Sequence, residues 1–220
     1  MNFLNYFNNQ LSDIFAQTQN VYIYGQNVAS GSQLSGLTRN LKLTKSSILS
    51  NSPNSENSLV GIGFGAMLRG INAVFCMKQQ DFLLLGLDHL VNTNNILRNE
   101  ENLAGSFTII CIVEDGGYEG PQSASNNLSD FSSFGRINCF SMTNKYDTNV
   151  ILNENLIKPG FRILGISQRL LSQNLIELEC LSNDIEGNLF HYSDGDDVTI
   201  ICSNFSLPYG NKFCEEFRSR

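Results

Sequence analysis

Apolar residues recur at helical spacing from the start of the chain. Phe3, Leu4, Phe7, Leu11, Ile14 and Phe15 fall on one face, which predicts an amphipathic helix. Residues 21–24, Val-Tyr-Ile-Tyr, then predict a buried strand that Gly25 ends. From there to Asn57 the chain is rich in Gly, Ser and Asn, so a long loop broken by short elements is expected. Such loops often carry function. Residues 58–70 read as an apolar helix seeded with glycines, with Gly61 and Gly65 one turn apart. Each glycine costs a helix about 0.8–1.0 kcal/mol relative to alanine, so several together point to close approach by another helix. Residues 73–76 predict a strand, residues 82–96 a second apolar helix, and residues 107–113 another strand. More strands are expected near 136–140, 161–165 and 175–181. Residues 197–202, Asp-Val-Thr-Ile-Ile-Cys, read as the strand that opens a new unit. The alternation predicts an α/β fold, a mainly parallel sheet with helices on both faces. Its domain is expected over residues 1–185, followed by an incomplete start of a second domain over 186–220.

Composition narrows the function classes. Hydrophobic residues make up 41% of the chain and charged ones 16%, which fits a compact chain with a buried core. The formal charge of -7, with no basic stripe, argues against nucleic-acid binding, which needs clustered Lys and Arg. No apolar stretch reads as a signal peptide or a membrane span, so a cytoplasmic location and no membrane partner are expected. Six cysteines show no C-x-x-C spacing and sit mostly in apolar runs, as reduced core residues do; with only two histidines, no protein-held metal site is expected. His89, in a predicted helix, and His191, before a turn, do not suggest a nucleophilic triad.

Between Glu114 and Asn127 the chain becomes rich in glycine and serine, with Gly116-Gly117, Gly120-Pro121, Ser123 and Ser125. This loop follows a strand's carboxyl end, where open α/β sheets place their ligands, so an active-site segment is expected there.

Three blocks stand in a telling order. The first is Tyr24-Gly-Gln-Asn-Val28 with Gly36-Leu-Thr-Arg-Asn-Leu41 behind it. The second is Asn51-Ser-Pro-Asn-Ser-Glu56, followed directly by Gly61-Ile-Gly-Phe-Gly65 and Gly70. The third is Asp81-Phe82 with Asp88-His-Leu-Val-Asn92. In order and spacing they resemble the beta subunit, or pyrimidine-binding domain, of the thiamine-diphosphate-dependent first component of the 2-oxo acid dehydrogenases, a relative of transketolase. The similarity covers about residues 20–205 and weakens beyond Val113.

The resemblance implies a chemistry and a partner. Glu56 matches the glutamate that hydrogen-bonds the cofactor's aminopyrimidine and drives it to the imino tautomer. That role calls for an apolar pocket that raises the carboxyl pKa toward the working pH. Leu59, Val60 and Phe82 are candidates for its walls, and Phe82 matches the aromatic that stacks on the pyrimidine. The plainer readings are an exposed glutamate at a helix N-terminus and a core phenylalanine. Gly61 and Gly65 match a helix through which subunits of the family pack closely. Thiamine diphosphate would be shared with an alpha-type subunit that holds its diphosphate and magnesium, in a homodimer or heterotetramer. The family's Gly-Asp-Gly motif for that end is not matched by Gly195-Asp196-Asp197.

Departures are equally specific. Where relatives carry Gly-x-Gln-His-Ser this chain has Gly120-Pro-Gln-Ser-Ala124, without the histidine that handles substrate. Gln26 stands where an acidic residue is usual, and Ile166-Ser167 where a Glu-His pair is common. These changes weigh against lipoyl-linked oxidative decarboxylation. Three functions stay open: an enzyme half acting on a 2-oxo acid or ketose, a non-catalytic homologue acting as an interaction or regulatory subunit, and an unrelated small-molecule-binding α/β domain.

Overall fold

A computed structural model describes residues 1–100, 102–116, 125–184 and 189–218. The Gly120-Pro-Gln-Ser-Ala124 segment lies outside the described residues. Helix α1 (Phe3–Gln17) leads into strand β1 (Val21–Gly25) and, after a mostly irregular stretch, β2 (Ile48–Asn51). Helix α2 (Glu56–Leu68) and strand β3 (Asn72–Met77) follow. Next comes a helical run made of a 3-10 segment (Gln80–Gly86), a π turn (His89–Thr93) and α3 (Asn94–Leu97). Then come β4 (Ser106–Val113), α4 (Leu128–Gly135), β5 (Asn138–Met142), α5 (Lys145–Asn155), β6 (Gly160–Ser167) and α6 (Gln168–Leu171).

The six strands form one parallel sheet in the order β2-β1-β3-β4-β6-β5. Every neighbour pair is parallel, which requires a crossover between strands and helices over both faces. Helices α1, α5 and α6 cover one face through Phe7, Leu11, Ile151 and Leu170, packed on Ile23, Val74, Ile110 and Leu164. Helices α2 and α4 and the 80–97 run cover the other through Val60, Phe64, Leu83 and Phe131, packed on Phe75, Phe107 and Ile109. The expected α/β architecture is therefore present, with helices on both faces.

Several expected elements differ. Residues 175–180 form no strand: the Leu175 N–H donates to the Met1 carbonyl and the Ile176 carbonyl accepts from the Lys145 N–H, so this segment staples the N-terminus and α5 instead of joining the sheet. Residues 197–202 are irregular, with Ile201 86% exposed, because no neighbouring strand among the described residues offers them a ladder. Near them lie the two-stranded pair β7 (Ser182–Asn183) and β8 (Phe190–His191) and helix α7 (Leu207–Arg218). The expected helix at 82–96 is real as a helical path but is divided among three hydrogen-bonding patterns.

The glycines of α2 explain how the second layer fits. A Cβ on Gly63 would collide with the Phe107 ring, whereas one on Gly65 would meet nothing within 4 Å among the described residues. Gly63→Ala should therefore destabilise the chain by about 1–3 kcal/mol through overpacking. Gly65→Ala should stabilise the isolated chain by about 0.8–1.0 kcal/mol through helix propensity. Urea unfolding of the two variants checks both signs.

Candidate functional site

Open α/β sheets take ligands beyond the carboxyl ends of their strands, where the strand order changes direction. Here the chain leaves β1, pairs β2 on one side of it, and returns to place β3 on the other. The candidate site is built around that point.

Tyr24 anchors it. The ring is fully buried and stacks on Tyr22 at 4.8 Å and Phe75 at 5.1 Å, while its hydroxyl donates to the Leu59 carbonyl at 2.7 Å. Burial pushes this phenol well above its ordinary pKa, so it stays a donor. The bond ties the end of β1 to the first turn of α2. Gly25 follows with φ +151°, and any side chain there would collide with the Cys76 carbonyl. Asn51, the last residue of β2, fixes the adjoining turn: its Oδ1 accepts from the Ala29 N–H at 2.8 Å and its Nδ2 donates to the Ser30 hydroxyl at 2.7 Å.

Glu56 opens α2 a few residues later, as the acidic residue of the helix's first turn. The residue is half-buried, and its carboxylate makes no hydrogen bond or ion pair among the described residues. The enclosing apolar pocket expected around it is not built by this chain's described residues. Leu59 and Val60 are buried, but they turn into the core beneath it. Phe82 is half-buried in the 80–86 segment and packs on the same core. The structure brings their two elements together: a Cβ on Gly86 would lie 2.8 Å from Val60 Cγ2 and 3.4 Å from the Glu56 carbonyl oxygen.

The two glycines singled out with them part company. Gly61 makes its close approach within the chain, since a Cβ there would sit 2.9 Å from His89 Nε2. His89 is itself held by Thr93 at 2.8 Å. Gly65 faces open space between exposed Ile62 and Leu68.

A polar network at the ends of β3 and β4 escaped the sequence reading. Gln79 Nε2 donates to Glu114 Oε2 at 2.9 Å, Gln80 Oε1 accepts from the Asn127 N–H at 3.0 Å, and Asn127 Nδ2 donates to Asp81 Oδ1 at 3.2 Å. Gln80 Nε2 and Asp81 Oδ2 are buried without a partner among the described residues. Beside this network Ser167 donates to Asp115 at 2.6 Å, joining the ends of β4 and β6. The sequence signals for the network are the polar tetrad Lys78-Gln-Gln-Asp81 directly after an apolar strand and the Glu114 and Asn127 ends of the glycine- and serine-rich loop. No group of three or more His, Cys, Asp or Glu able to hold a metal occurs among the described residues, and no helix among them is long and apolar enough to cross a membrane. Cavities of about 510 and 520 Å³ open elsewhere, and neither is lined by Glu56 or Phe82.

Burial raises the pKa of Asp81, and hydrogen bonds from its own backbone, Asn127 and Ser125 oppose the rise. The folded chain thus keeps this proton at a pH where the unfolded chain, with a carboxyl pKa of about 4, has lost it. That contribution to stability falls as pH climbs from about 4 through the raised pKa. Asp81→Asn should therefore gain on wild type in urea midpoint across this window. A difference that stays constant with pH would contradict it.

No protein-family model matches the chain, and no curated protein matches it.

Proposed function

We propose that this chain is a beta-type, pyrimidine-binding subunit of a thiamine-diphosphate-dependent enzyme acting on a 2-oxo acid or ketose. The observation that carries this is the position of Glu56: a half-buried glutamate whose carboxylate has no partner among the described residues, heading α2 beyond the carboxyl ends of β1 and β2. A carboxyl with an open hydrogen-bonding capacity on a ligand-taking edge suits a heteroaromatic ring nitrogen that shares its proton. Phe82, half-buried on the adjoining segment, offers an apolar ring to a planar ligand. These residues fit the aminopyrimidine half of the cofactor alone.

The cofactor, when bound, supplies stabilisation of a carbanion formed at the substrate carbonyl. Glu56 holds and moves a proton at the ring nitrogen. Tyr24, through the Leu59 carbonyl, fixes the helix from which Glu56 acts. The diphosphate and its magnesium would belong to an alpha-type partner, and the same partner would complete the wall that the described residues leave open around Glu56. The exposed apolar strip of Ile62, Gly65 and Leu68 on α2, with Leu84 and Leu85 exposed on the neighbouring segment, supports a subunit contact on this side.

One observation favours a non-catalytic homologue as the second reading. Ser167 stands where the family commonly carries the histidine of a Glu-His pair, and its hydroxyl is engaged by Asp115. The two readings separate on co-expression with a chain carrying Gly-Asp-Gly followed by Asn-Asn. The enzyme reading expects turnover of a 2-oxo acid or ketose by the complex, and Glu56→Gln should lower it about 100-fold or more while the complex still assembles. Equal turnover in wild type and Glu56→Gln would sink the assignment. Assembly without any turnover would leave the interaction subunit. In the same preparation Gly65→Leu should abolish assembly without unfolding the chain.

A further inference from the structure

At the opposite edge of the sheet, where β5 and β6 begin, lies a cavity of about 510 Å³. Its volume falls within the range of small-molecule sites, roughly 300–1,000 Å³. Four of the residues lining it are cations, Arg98, Arg136, Lys158 and Arg162, against one carboxylate among the described residues, Glu100. In a chain of net charge -7 with 14 Lys and Arg, that gathering runs against the overall balance. None of the four forms an ion pair among the described residues.

Three polar side chains that line it, Arg162, Asn155 and Asn94, are more than nine-tenths buried, and the Asn94 amide is already engaged with the Gly135 carbonyl at 2.9 Å. Arg162 is 4% exposed, and among the described residues its guanidinium donates only to neutral acceptors, the Thr108 hydroxyl at 3.2 Å and the Pro159 carbonyl at 2.9 Å. Burial lowers its pKa to about 10, which still leaves it charged at neutral pH. A buried cation without a counter-charge is costly, and an anion would offset that cost. Asn155, the last residue of α5, is 5% exposed, and its Nδ2 is buried with no partner among the described residues. A cationic fork and an unused amide donor thus share one concave site. Guanidinium forks match the paired oxygens of phosphate, and an amide donor suits the remaining oxygen.

We propose that this cavity binds a small phosphorylated ligand, held by Arg162 and Asn155 at its base and by Arg98, Arg136 and Lys158 around its mouth. The site is separate from the edge that carries Glu56, so its occupant would not compete with a ligand there. The inference is independent of the proposed cofactor chemistry.

The test uses the full chain, with inorganic phosphate and pyrophosphate as probes at constant ionic strength. Thermal unfolding and calorimetric titration should show saturable stabilisation and one site, with pyrophosphate the tighter of the two. The double variant Arg136→Ala/Lys158→Ala, on exposed side chains that do not endanger the fold, should weaken binding at least tenfold. Asn155→Leu, close in size, should weaken it as well, while Lys42→Ala, a surface cation elsewhere, and Glu56→Gln should leave it unchanged. Absence of a saturable response to either probe would overturn the proposal. So would equal affinity in Lys42→Ala and the double variant.

Discussion

The rest of the molecule depends on the burial of β4. All eight of its residues are inaccessible, with β3 on one side, β6 on the other and a helical layer over each face. A strand in that position leaves no backbone group to water, so both ladders must be complete and both faces must be covered. Phe107 shows the consequence on one face, because α2 can lie over it only at Gly63. Thr108 shows it for a polar side chain: its hydroxyl donates to the Leu156 carbonyl at 2.8 Å and accepts from Arg162, so even the hydroxyl inside the strand has two assigned partners.

How much of this was legible depends on whether a signal was local. Strands β1, β3 and β4 are apolar runs buried on both sides and were read nearly to their ends. Strand β2 was hidden in its loop because an edge strand of four residues, exposed at both ends, carries little pattern. Residues 175–180 and 197–202 carried strand-like patterns without a sheet to join. An apolar pattern specifies that a side is to be covered, not what covers it. Residues 82–96 predict a single helix because periodicity does not distinguish the α, 3-10 and π turns that the structure shows over 80–97.

The same distinction holds for the site. Glu56 and Phe82 stood in a recognisable order, and the structure puts their elements side by side. The pairing of Gln79, Gln80 and Asp81 with Glu114 and Asn127 left no local pattern, since these bonds join residues 35 to 47 positions apart. Of the glycine pair, close packing is seen for Gly61, against His89 of its own chain, while Gly65 meets nothing within 4 Å among the described residues. The cations at the far edge are scattered along the chain, Arg98 after α3, Arg136 before β5, Lys158 before β6 and Arg162 inside it, so no basic run announced them. The two edges consequently differ in character, with amides and carboxylates at one and arginine and lysine at the other.

The strand order has a consequence for the chain as it is made. Strand β5 precedes β6 in sequence, yet it touches the sheet only through β6, which separates it from β4. On the ribosome, α4, β5 and α5 emerge before the strand that will hold β5 in register, and the growing chain must keep Phe140 and Met142 from finding other company meanwhile. Final closure of the sheet therefore waits for residues 160–167, and a nascent chain stalled before them would carry an unfinished edge open to chaperones and to neighbouring chains.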